Sequence, residues 1–179
     1  MLIDEFLPVF DRSMHHRIEI DASLEKVYTV VRRFDLTGAY LFRVLVWLRS
    51  VPALLQGRQP LGFTLEDLER LGFIRLGEAP PQELVLGFVG KLWTTSGDFQ
   101  KLEAAEFREF AMPGFAKVAW NFTLARSEDG RTHLATESRV QCLDEASGRN
   151  FQRSFFFIRP VSSQTRRSAV RALKRQAEG

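Results

Sequence analysis

"HHRIEIDASLEKVYTVVRRF" spans residues 15–34 and changes its period halfway along. In its first part His16, Ile18 and Ile20 alternate with His15, Arg17, Glu19 and Asp21, the period-two pattern of a half-buried antiparallel strand. From Leu24 onward the apolar residues fall at Leu24, Val27, Val31 and Phe34, which is one face of a helix. Asp21 or Ser23 stands where an N-cap is needed. Strand and amphipathic helix therefore meet within a few residues.

Beyond this junction, "GAYLFRVLVWLRSVPALL" (residues 38–55) reads as a second helix, with Thr37 as its cap. Its apolar face is broad and its polar edge, around Arg43, is narrow. It does not qualify as a membrane span. A crossing needs about 20 mostly apolar residues. Arg43 and Arg49 would each cost about 2.5–3.5 kcal/mol at the bilayer centre. Pro52, Gly57 and Pro60 then mark a loop. "TLEDLERLGF" follows as a short helix, with a capping-box spacing from Thr64 to Asp67 and a stop at Gly72.

Strands follow. "FIRLGEA", a Pro80-Pro81 corner and "ELVLGFVGKLW" read as strands, with Leu84, Leu86, Phe88 and Leu92 on one face and bulges or bends of a curving sheet expected at Gly87 and Gly90. "LEAAEFREF" is a modest helix stopped by "MPG". "KVAWNFTLAR" alternates with Val118, Trp120, Phe122 and Leu124 on one side, and the turn "SEDGR" returns it as "THLATESRVQCL". The second strand of that hairpin puts small residues, Thr136 and Ser138, beside Leu134 and Val140 on one face. Glu137, Arg139 and Gln141 on the other are expected to meet solvent or polar partners. Small residues on a core face mean either close packing or room. The final run, 146–179, reads as a long helix, bent or broken at Pro160, with an apolar stripe of Phe151, Phe155 and Ile158 and then Val170, Leu173 and Ala177.

Composition bounds the rest. At 179 residues the chain is read as a single domain, 1–179, large enough for a sizeable core. Sixteen phenylalanines against two tyrosines point to an interior that is aromatic and poor in hydroxyls. The lone Cys142 excludes an internal disulfide and a cysteine-rich zinc site. "MLIDEFLPVF" is acidic where a secretory signal is basic, so a cytoplasmic location is expected. The net charge of +3 is uneven: residues 145–179 carry eight Lys/Arg against Glu145 and Glu178. A solvated helix face explains this surplus, and peripheral contact with anionic lipid is the alternative. No nucleic-acid motif accompanies it, and no nucleic-acid partner is expected.

Strand, two helices, an antiparallel sheet with helical interruptions and a long closing helix make an α+β order. It resembles the helix-grip fold of the START-like, pollen-allergen-like superfamily (SRPBCC), whose members include polyketide cyclases and aromatases. The resemblance rests on "HRIEIDASLEKVY", "ELVLGFVGKLW", "EFREFAMPGFAKVAWNF", "RTHLATESRV" and "FIRPVSSQTRR", and is strongest to bacterial members without an assigned activity. The fourth stretch departs from the usual Thr-Glu-Thr-Arg at Ser138, and Phe155 and Phe156 stand where Tyr or Trp is usual. The resemblance implies a curved sheet wrapped around the last helix. Between them it implies an apolar cavity with few polar fixing groups, covered by residues 38–55.

Within that frame the candidate cavity residues are His16, Phe42, Leu45, Trp93, Trp120, Phe122, Thr136, Ser138, Phe151 and Phe155. The three histidines, His15, His16 and His133, have no metal-ligand spacing, and no nucleophile stands beside a base. "GFVGKLW" lacks the P-loop spacing and its Ser/Thr, and there is no dinucleotide fingerprint. No catalytic set, metal or cofactor is therefore expected. The leading expectation is binding or carriage of a hydrophobic small molecule or lipid. The second is a cyclase- or dehydratase-type enzyme using His16, Thr136 and Ser138, and the third is a peripheral membrane or protein-interaction module.

Overall fold

The computed structural model describes residues 1–33, 65–70, 72–94 and 96–179, with backbone alone at 65–67 and 156–169. The expected helix over 38–55, its Thr37 cap and the loop after it lie outside the described residues. The elements run α1 (Leu2–Phe6), β1 (Arg12–Ile20), α2 (Leu24–Arg33), α3 (Leu65–Arg70), β2 (Ile74–Ala79) and β3 (Glu83–Gly90). They continue with α4 (Ala104–Glu109), β4 (Ala116–Arg126), β5 (Thr132–Cys142) and α5 (Glu145–Glu178). The strands form one five-stranded antiparallel sheet in the order β1-β5-β4-β3-β2, so the class is α+β.

Local chemistry explains the boundaries. Ser23, not Asp21, caps α2: its Oγ accepts the Lys26 N–H at 3.3 Å. α3 ends at Gly72, where φ is +99°, with Gly72 N–H bonded to Glu69 O and Phe73 N–H to Leu68 O, the two bonds of a Schellman end. Glu103 and Glu106 cap α4 reciprocally. Asp144 caps α5 by accepting the Ser147 N–H at 3.0 Å. α5 then runs unbroken through Pro160 to Glu178, so the anticipated break is not there. A proline removes one backbone donor. Here buried residues on either side, Phe151 and Val170 to Ala177, tie both halves of the helix to the sheet.

Of the bulges or bends expected at the glycines of β3, bulges are not found in its pairing with β4. β3 and β4 stay in register from Glu83–Thr123 to Gly90–Ala116, and the irregularity lies in β2 between Arg75 and Gly77. Gly87 is needed for closeness: a Cβ there would stand 2.5 Å from Leu76 Cδ1 and 3.0 Å from Val118 O. At Gly90 it would stand 2.7 Å from Gly97 O.

Both faces of the sheet are covered. On the inner face Ile20, Leu84, Leu86, Phe122, Leu124 and Leu134 pack against α2 and the last turns of α5. On the outer face Val85, Val89 and Ala119 pack beneath Ile3, Phe6 and Leu7 of the N-terminal segment and Phe107 of α4. Glu137 and Arg139 were expected at solvent or polar partners, yet they are 6% and 7% exposed under that cover.

The reason is mutual satisfaction. Arg139 donates to both carboxylate oxygens of Glu137 at 2.6 and 3.3 Å and to Leu7 O at 3.0 Å, and it pairs with Asp4 at 2.8 Å. Asn121 extends the network, accepting the Glu137 N–H and donating to Glu83, both at 2.9 Å. Glu83 in turn accepts the Leu2 N–H at 2.9 Å.

Candidate functional site

The register of the strands assembles the inner face row by row. His16 stands opposite Thr136, and Thr136 opposite Phe122. One row on, Met14 faces Ser138, Ser138 faces Trp120, and Trp120 faces Leu86. Five of the sequence candidates, His16, Trp120, Phe122, Thr136 and Ser138, are thereby neighbours on three adjacent strands. Trp93, Phe151 and Phe155 gather further along the same face with Ala116, Val118 and Val140. Phe42 and Leu45 lie outside the described residues.

Among the described residues, the inner face carries two separate buried clusters. One holds Ile20, Phe122, Leu134, Val170 and Leu173. The other holds Ala116, Val118, Val140 and Phe151. The row of Ser138 belongs to the first cluster through Leu86 and Trp120, and the interval from it to the next row, that of Phe88, Val118 and Val140, is where the two clusters meet. Trp120, on a strand with neighbours on both sides, is half-buried there and packs on Phe122 with ring centroids 4.7 Å apart. On the β3 side the interval is walled by half-buried rings, Phe73 against Phe88 at 4.6 Å and Phe88 against Phe99 at 5.3 Å. The sequence placed Phe88 on this face without marking it as a site residue. Phe73 gave no such signal, because it precedes β2 and reaches the face through the fold.

The polar groups of the interval differ in kind. Trp120 donates its indole N–H to Thr136 Oγ1, a diagonal reach across the β4–β5 ladder. Thr136 is 2% exposed and its oxygen is committed to that bond. Ser138 is 7% exposed, and its hydroxyl has no hydrogen-bond partner among the described residues. Among those residues no fully buried side-chain nitrogen or oxygen lacks a partner, so Ser138 Oγ borders space that water can reach. Cys142, at the far end of β5, is poor as a nucleophile. Burial and then the neighbouring Asp11 carboxylate push its thiol up to about 11, which leaves little thiolate at neutral pH.

On the edge of the sheet, Tyr28 of α2 donates to Glu78 of β2 at 2.6 Å, and Arg32 pairs with the same carboxylate at 3.0 Å. Burial, followed by the Glu78 contact, raises the Tyr28 phenol far above its ordinary value, so it stays a donor. This cluster locks α2 to the sheet edge. Among the described residues no group of His, Cys, Asp and Glu is arranged to hold a metal ion. No helix among them is long and apolar enough to cross a membrane.

No family profile matches the chain, and no curated protein does. Among solved structures, it is similar to the Zhui aromatase/cyclase of a Streptomyces species: TM-score 0.42 and 14% identity over 93% of each chain. It is also similar to a Nitrosospira multiformis protein, with TM-score 0.41 and 10% identity over 88% of this chain and 93% of that one. A third is the di-domain aromatase/cyclase BexL, with TM-score 0.39 and 15% identity over 94% of this chain and 50% of that one. These identities lie far below the level at which residue roles transfer.

Proposed function

We propose that the chain acts as a single helix-grip domain that binds or carries a hydrophobic small molecule or lipid between the inner face of the sheet and α5. The observation that carries this reading is the make-up of the inner face around Ser138: the half-buried rings of Trp120, Phe73 and Phe88 stand near a serine that is 7% exposed and whose hydroxyl has no partner among the described residues. An apolar wall with few polar groups is the usual make-up of a small-molecule site. The test is extraction of purified protein followed by mass spectrometry, together with displacement of anilinonaphthalene sulfonate by candidate ligands. Co-purifying apolar compounds and a displaceable dye are expected. Empty spectra with no dye binding would refute the reading.

A cyclase- or dehydratase-type activity is the second reading, favoured by one observation: His16 stands opposite Thr136 on the inner face. A titratable imidazole beside a bound substrate is the minimum for proton transfer. Turnover of a poly-β-ketone mimic, lost on His16→Ala, would support it. Turnover that survives replacement of His16, Thr136 and Ser138 together would remove it. Peripheral membrane binding has less behind it. Lys174 is spent on Glu19 O at 2.8 Å and on Glu178 at 3.3 Å, and Arg149 pairs with Glu145 at 3.3 Å.

A further inference from the structure

We propose that Ser138 is the hydrogen-bonding anchor of the site, and that it selects hydrophobic ligands bearing a hydroxyl or carbonyl oxygen over hydrocarbons of the same size. The inference rests on the binding reading above and adds to it the ligand's chemical class and the residue that selects it. Three observations carry it. Ser138 lies at the centre of the inner face, between Met14 of β1 and Trp120 of β4. It is 7% exposed, and its Oγ is unmatched within the described residues while bordering open space. Thr136, the inward hydroxyl two residues before it, already accepts the Trp120 indole N–H, which fixes the ring as part of the wall.

The two hydroxyls therefore divide the work. Thr136 positions Trp120, and Ser138 is left to meet whatever enters. A serine hydroxyl can donate to a carbonyl or accept from a hydroxyl, so it serves either kind of oxygen. A pure hydrocarbon would leave Ser138 Oγ both desolvated and unpaired, which a site lined by Ala at this position would avoid.

The experiment measures competition of naphthol and of methylnaphthalene, matched in size, against anilinonaphthalene sulfonate on the full chain. The proteins compared are wild type, Ser138→Ala, Ser138→Thr and Thr136→Val. Ser138→Ala is expected to weaken naphthol on the order of tenfold and leave methylnaphthalene unchanged. Ser138→Thr, which keeps a hydroxyl, is expected to retain the wild-type preference. Thr136→Val, by releasing Trp120, is expected to weaken both probes together. If wild type binds both probes and Ser138→Ala treats them alike, the anchor is overturned while the binding site stands. If wild type binds neither, the site itself is refuted and the anchor with it.

Discussion

Replacing Arg139 by methionine keeps most of the side-chain volume and removes the charge at the centre of the outer-face network. The Glu137 carboxylate is then stranded at 6% exposure. It loses both Arg139 hydrogen bonds. Removing one partner of a buried ion pair costs about 3–5 kcal/mol. The minimum expected loss is therefore about 3 kcal/mol. For a chain of this size that lowers Tm by roughly 6–12 °C.

The reverse change, Glu137→Leu, leaves Arg139 with Asp4 at 2.8 Å and Leu7 O at 3.0 Å, so about 1–2 kcal/mol is expected. The double variant strands no charge and should cost about as little as Glu137→Leu alone, within about 1 kcal/mol. Urea denaturation of all four proteins closes the cycle. If Arg139→Met costs under about 1 kcal/mol, or the double variant equals the sum of the singles, Glu137 and Arg139 are not a coupled buried pair.

Deleting residues 1–7 removes Ile3, Phe6 and Leu7 from the outer face, at about 2 kcal/mol for each buried side chain. It also uncovers Val85 and Val89, so a lowered urea midpoint and new dye binding on that face are expected. Gly87→Ala drives a Cβ to 2.5 Å from Leu76 Cδ1 and should cost about 1–3 kcal/mol by the same measurement. Asp144 gives a pH prediction. The Ser147 hydroxyl and then the Gly114 and Ser147 amides hold its carboxyl down at about 2, from an ordinary 3.8. A depressed folded pKa gives stability that is present above the unfolded value and lost as pH falls through about 2. Stability of Asp144→Asn should therefore vary less between pH 5 and 2 than that of wild type, and parallel profiles would count against the cap.

Alternation made much of this fold legible. It marked β1, β3, β4 and β5 and, within β4 and β5, separated Trp120, Phe122, Thr136 and Ser138 from Lys117, Asn121, Glu137 and Arg139. What alternation cannot supply is the identity of the cover. Glu137 and Arg139 read as facing solvent or polar partners, and the segment that buries them with those partners starts 130 or so positions away. Two signals pointed to it: the opposite charges two apart on one strand face, and the helical spacing of Ile3, Phe6 and Leu7. The division of labour between Thr136 and Ser138 was not readable at all. It depends on Trp120 reaching diagonally past its direct partner, a choice of rotamer rather than of sequence period.

β5 carries polar residues on both of its faces at the middle of the sheet, and the two sets are stabilised in opposite ways. On the outer face the two buried charges are answered: Glu137 by Arg139 and Asn121, Arg139 by Leu7 O and Asp4. That closure permits burial, since an unmatched charge there would cost several kcal/mol, about 3–5. It also pins the register, because a one-residue slip would send Glu137 and Arg139 to the apolar inner face. Ser138 stands between the two charged residues and is held to the inner face by them. Yet its own hydroxyl is answered by nothing within the described residues. In a strand whose other buried polar groups are so fully paired, alanine would pack at Ser138 without any polar debt. A hydroxyl fixed in place and left unmatched has a use when something enters the interval and meets it.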